Sequence, residues 1–65
     1  MKCKHKSNNI FQLENGSVMT FVDYVKEVQG KEYFIAKDSK TGNKKVFRAA
    51  AYNDVGQFCE VEEVN

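Results

Sequence analysis

Alternation of apolar and polar residues is the first signal in this chain. In Ile10-Phe11-Gln12-Leu13 the side chains of Phe11 and Leu13 share one face, the period of a half-buried strand. Asn15-Gly16 follows at once. That pair between two apolar segments predicts a hairpin with a type I′ turn, which needs positive φ at both positions. Ser17 to Val28 is dense in β-branched and aromatic residues but does not alternate cleanly, because Val22 and Tyr24 have one parity and Phe21 and Val25 the other. Val18, Val22, Val25 and Val28 also fit helical spacing. β-Propensity and the flanking turns favour a long, bent strand, partly buried on both faces and carrying a bulge.

Gln29-Gly30 marks the next reversal. Tyr33 to Ala36 gives a short strand, with Tyr33 and Ile35 opposite Phe34 and Ala36. The Thr41-Gly42-Asn43 turn leads into a further strand, Lys44 to Arg48. Ala49-Ala50-Ala51-Tyr52 is the one stretch of helical propensity and predicts a short helical turn near 49–53. Phe58 to Glu62 alternates again, with Cys59 and Val61 against Glu60 and Glu62. These elements predict an all-β fold: a small five-stranded antiparallel barrel or a strongly bent sheet, SH3-like or OB-like, with an open meander as the alternative. Residues 1–8 carry Lys2, Lys4 and Lys6 without apolar periodicity. They read as a flexible basic N-terminal arm, or else as an edge strand, ahead of a single β domain over 9–65.

Composition narrows the possible functions. A chain of 65 residues hides only about 60% of the surface it exposes when unfolded, leaving little depth for an enclosed pocket. Its 42% hydrophobic content, with five Phe and three Tyr, is enough for a core, and it has no proline to interrupt a strand. No apolar run approaches the roughly 18 residues of a membrane span. The charged start gives way to Ser7-Asn8-Asn9 rather than an apolar signal segment. A cytoplasmic protein with two reduced thiols, Cys3 and Cys59, is the expectation, without a membrane partner.

Charge changes the picture more. The formal net charge is only +1, yet Lys37, Lys40, Lys44, Lys45 and Arg48, half of the ten basic residues, fall on one expected hairpin. After Arg48 there are only acids: Asp54, Glu60, Glu62 and Glu63. A basic projection and an acidic last strand predict a directional field. On that field the chain reads as an accessory or regulatory module docking on a larger protein, with Glu60, Glu62 and Glu63 as an acidic docking face. The same hairpin could track a phosphate backbone of DNA or RNA, with Tyr33, Phe34 or Phe47 as stacking platforms, and nucleic-acid binding is the alternative. The parity of Phe47 among Lys44, Val46 and Arg48 turns its ring inward, which weakens that second reading.

Chemistry beyond binding has little support. Cys3, His5 and Cys59 offer zinc-type ligands, but three donors without a Cys-x-x-Cys pair fall short of a structural site, so no metal or cofactor is expected, and a Cys3–Cys59 disulfide ranks with it behind free thiols. Cys59 reads as a small core residue beside Val61. The one histidine, the absence of a Gly-rich phosphate loop and three serines without nucleophile context predict a protein that is not an enzyme.

Three places are similar to small barrels of the cold-shock kind: Phe34-Ile35, Val46-Phe47, and Gly56-Gln57 ahead of Glu60-Val61-Glu62. The chain departs from that family where an aromatic and a histidine would contact bases, since Glu32 and Ala49 stand there, and no family is assigned. A monomer or weak homodimer, of the sort that serves phages or mobile elements, completes the expectation.

Overall fold

The computed structural model describes residues 1–64. They form one antiparallel sheet in which chain order is also spatial order: β1 (Cys3–Ser7), β2 (Ile10–Leu13), β3 (Val18–Val28), β4 (Lys31–Asp38), β5 (Lys44–Tyr52) and β6 (Phe58–Val64). Among the described residues no helix is long and apolar enough to cross a membrane. The all-β expectation holds, but six strands replace five and the sheet does not close into a barrel.

The extra strand is the expected arm. Cys3 pairs with Leu13, Lys4 with Gln12 and His5 with Phe11. The segment is a strand because period 2 is present after all: Cys3 is buried on the core side while Lys4 and Lys6 stay in water. Residues 49–53 are corrected in the same way. Ala49 pairs with Val61, Ala51 with Glu60 and Tyr52 with Phe58, so β5 continues through the alanines, with an irregular register that leaves Ala50 without a partner. Alanine's helical preference, under about 1 kcal/mol per residue, is outweighed by pairing with β6 and by the burial of Ala49.

The irregular pattern of β3 has a geometric origin. Its register against β4 slips between Phe21 and Asp23 and again between Tyr24 and Lys26, so Val22 and Val25 are bulged residues. Each bulge shifts the parity of the residues beyond it, which breaks the alternation. The strand is not buried on both faces: Met19 is core, whereas every residue from Val22 to Val28 is exposed. The turns also exchange types. At Gln29 and Gly30 φ is 53° and 80°, the two positive values of a type I′ turn between Val28 and Lys31. At Asn15-Gly16 only Gly16 is left-handed (φ 94°), and the Gly16 N–H donates to the Leu13 carbonyl at 2.9 Å. That is a type I turn with a G1 bulge, not the expected type I′.

The sheet curls around Phe11, Met19, Phe34, Phe47 and Val61, all at 3% exposure or less. Phe11 meets Phe34, Phe47 and Phe58 edge-on, at centroid distances of 6.0, 6.1 and 5.1 Å. Phe34 in turn stacks on Phe58 at 4.9 Å. Edge-on and offset geometries satisfy the ring quadrupoles as well as burying area. The ends of the curl meet at one bridge, Lys2 to Glu60, beside which the Val61 N–H donates to the Met1 carbonyl at 2.8 Å. Beyond it the Phe58 carbonyl accepts from the His5 imidazole at 2.8 Å and lies 3.8 Å from Cys3 Sγ. Past Cys3 and Cys59, side chains occupy the place of a ladder, and the seam stays open.

Phe11→Ala removes the ring shared by β2, β4, β5 and β6. Chemical denaturation should show a loss of about 3–5 kcal/mol, enough to unfold much of the population of so small a chain.

Candidate functional site

The basic hairpin is where it was expected, but its electrostatics are not. Lys37 and Lys44 face each other across β4 and β5. The turn between the strands is organised by Asp38, whose carboxylate accepts the backbone N–H of Lys40 at 2.8 Å and of Thr41 at 3.1 Å. Those bonds, helped by nearby Lys45 and Lys40, hold the Asp38 carboxyl below the usual aspartate range. An acid therefore sits at the centre of the cationic tip. Because β6 is the neighbour of β5, Glu62 lies opposite Arg48 and Glu63 opposite Phe47. The Arg48 guanidinium donates to Glu62 at 2.6 Å, and Lys45 Nζ lies 3.7 Å from Glu63. The Tyr33 phenol beside it and then Glu62 hold Arg48 above its ordinary pKa.

Basic and acidic segments are thus side by side rather than on separate surfaces. Adjacent Glu62 and Glu63 point to opposite faces of β6, and Glu60 lies at the Lys2 bridge. Among the described residues Lys37, Lys40 and Lys44 make no ion pair, and they are the hairpin's free cations.

Of the three stacking candidates, Phe34 and Phe47 are core residues at 3% and 0% exposure and are closed to any ligand. Tyr33 is half-buried, and Lys26 Nζ sits 5.0 Å above its ring, so its face is already covered by a cation.

Two surfaces escaped the reading of the sequence. The first is a cleft of about 430 Å³ at the β1–β2 turn, lined by His5, Lys6, Asn9, Phe21, Gln57 and Phe58. His5 donates through Nε2 to the Phe58 carbonyl, which fixes its tautomer, and its ring packs 4.5 Å from that of Phe58. His5, Phe21 and Phe58 are half-buried, so their rings form the floor and walls beneath a polar rim. The signal for it was present in the Cys3 and His5 alternation.

The second surface is the far half of the β3–β4 hairpin. β2 pairs with β3 only through Val18, Met19 and Thr20, with one more bond from the Phe21 N–H to the Asn9 carbonyl at 2.7 Å. From Val22 to Val28 the outer edge of β3 carries no strand. Val22, Tyr24, Val25 and Val28 are 42–50% exposed along it. The Tyr52 hydroxyl donates to Glu32 at 2.9 Å and braces the projection from β5. Charges on the projection are mixed: Asp23, Glu27 and Glu32 with Lys26 and Lys31.

No protein-family model, curated protein or solved structure matches the chain, so this geometry is the ground for reading its function.

Asp38 supplies a check on the hairpin. A carboxyl with a lowered folded pKa stabilises fully above its unfolded value, about 3.9, and that contribution is lost as pH falls through the folded value. Asp38→Ala should therefore be less stable than the parent at neutral pH, and the gap should narrow below about pH 3. Paired urea titrations at the two pH values measure it.

Proposed function

We propose that the chain is a non-enzymatic module that docks on a larger protein, using a curled, barrel-like sheet as scaffold and the β3–β4 projection as its principal contact. The observation that carries this reading is the row Val22, Tyr24, Val25 and Val28, exposed on a strand edge that the chain itself leaves without a neighbour. Apolar side chains beside open backbone donors and acceptors are the two features that strand addition by a partner uses. The bulges at Val22 and Val25 interrupt the edge, so the partner contributes short pairing plus an apolar surface rather than one long strand. The mixed charges of the projection suit a protein partner better than a polyanion, which would meet Asp23, Glu27 and Glu32 there. Lys37, Lys40 and Lys44, the unpaired part of the basic hairpin, steer the approach to an acidic region of that partner.

Nucleic acid is the second reading, and one observation favours it. The half-buried rings of His5, Phe21 and Phe58 lie beside Lys6 in an open cleft, an arrangement that can hold a base. It ranks below docking because Asp38, Glu62 and Glu63 interleave with the hairpin cations and leave no continuous basic track.

The two readings separate on one set of proteins. Tyr24→Ala with Val28→Glu changes only exposed positions and should leave the circular dichroism and folding midpoint nearly unchanged. In capture from lysate with quantitative mass spectrometry, one saturable partner should be lost by roughly tenfold or more with this variant. Lys40→Glu with Lys44→Glu should mainly slow association. Equal capture by parent and Tyr24/Val28 variant sinks the docking surface. Salt-sensitive anisotropy with single-stranded oligonucleotides, abolished by Phe58→Leu, would put nucleic acid in its place.

A further inference from the structure

The chain's only two cysteines stand on the two sides of the open seam. Lys2 and Glu60 are partners in an antiparallel bridge, so one step along each strand brings Cys3 opposite Cys59. Directly opposed antiparallel residues have Cα atoms about 4.5–5.5 Å apart, inside the range of about 4.4–6.8 Å that a disulfide spans. Three further observations agree with this register. Both cysteines line the same cleft, of about 590 Å³, with Lys2, Leu13, Gln12 and Glu60. Cys3 Sγ reaches the carbonyl of Phe58, the residue joined to Cys59, at 3.8 Å. The register of β6 against β5 skips Cys59, passing from Glu60 to Phe58, which frees that residue from the β5 ladder.

We infer that Cys3 and Cys59 form a thiol–disulfide site that closes the sheet covalently when a low-molecular-weight disulfide is present. Cys59, the more exposed of the two, attacks first. Its thiolate displaces one thiolate from the small disulfide, here oxidised glutathione, and leaves a mixed disulfide on Cys59. Cys3 then loses its proton and attacks the Cys59 sulfur, expelling the second glutathione thiolate. In sum, two protein thiols lose two protons and two electrons, and one oxidised glutathione becomes two reduced molecules. Burial, and then the neighbouring Cys59, push the Cys3 thiol up to about 11. The second step is consequently the slow one and accelerates with pH. The charged groups around these thiols are the Met1 ammonium, which pulls the Cys3 thiol back down, with Lys2 and Lys4 on β1, Glu60 across the seam and Glu14 on the β2 side.

Incubating the folded protein with oxidised glutathione, without denaturant, tests the site. The expected product is a monomer that has lost two hydrogens and both titratable thiols, in which Cys3 is joined to Cys59 after proteolytic mapping. Its Tm should rise by roughly 10 °C or more, because the bond restrains a long loop in the unfolded chain. Amides of β1 should exchange roughly tenfold more slowly or better. Dithiothreitol should reverse each change. Four outcomes overturn the inference: both thiols remaining free, a mixed disulfide that persists on Cys59, cross-linked pairs of chains, or an internal bond that forms only after denaturation.

Discussion

The ring of Phe11 sets the shape of the molecule. One side chain from the shortest strand meets rings from β4, β5 and β6, and each meeting is edge-on. A flat meander would place β2 and β6 far apart, so this cluster is possible only if the sheet curls through most of a turn. The curl is then required to deliver Phe58 inward from β6, and the irregular register near Tyr52 and Phe58 is how that happens. Turning Phe58 inward moves its carbonyl out of the ladder toward β1. His5 and Cys3 side chains take up that carbonyl, and the seam remains unclosed. Core packing, the open seam and the placement of the two thiols are thus successive consequences of one aromatic contact.

The same meander order governs the electrostatics. Fourteen positions separate Arg48 from Glu62 in the sequence, yet consecutive antiparallel strands make them direct neighbours. Exposed pairs of this kind contribute between about 0 and 1 kcal/mol each, so they do little for stability. Their effect is on the field. Lys45 and Arg48 are answered locally, Asp38 sits within the turn, and the unanswered part of the hairpin's field comes from Lys37, Lys40 and Lys44. A directional dipole between hairpin and last strand does not survive the pairing of β5 with β6.

Local features were the ones legible in the sequence. The Tyr33 to Ala36 alternation, the hairpin through Gly42, and the inward parity of Val61 and Phe47 all depend on neighbours in the chain, and all are present. Phe34 and Ala36 share a face as their parity predicts, but that face is the core, so the use of Phe34 as a stacking platform fails. The features that were lost depended on distant partners. The alternation of Cys3 and His5 among Lys2, Lys4 and Lys6 is a strand signal, but three lysines made it look like a solvated arm. Only pairing with Leu13 and Phe11 gives it a buried side. The three alanines carry helical preference in isolation and become strand because Val61 and Glu60 lie opposite Ala49 and Ala51. The bulges at Val22 and Val25 left a trace as broken parity, but they could not be placed without the register of β4.

The far half of β3 is the place where folding and contact part company. Val22, Val25 and Val28 each leave more than 40% of their surface in water, so they return only part of the roughly 25 cal/mol per Å² that burial would give. An open strand edge lined with valine is also an invitation to indiscriminate pairing. Two bulges and the charges of Asp23, Lys26 and Glu27 blunt that edge without removing its apolar surface. The core rings lie on the proximal side: β2 stops at Thr20, β5 follows the β4 half of the projection only as far as Tyr33, and beyond that the Tyr52 brace to Glu32 is the remaining support. Exposed apolar surface on an edge blunted against self-pairing is the feature on which the proposed docking rests.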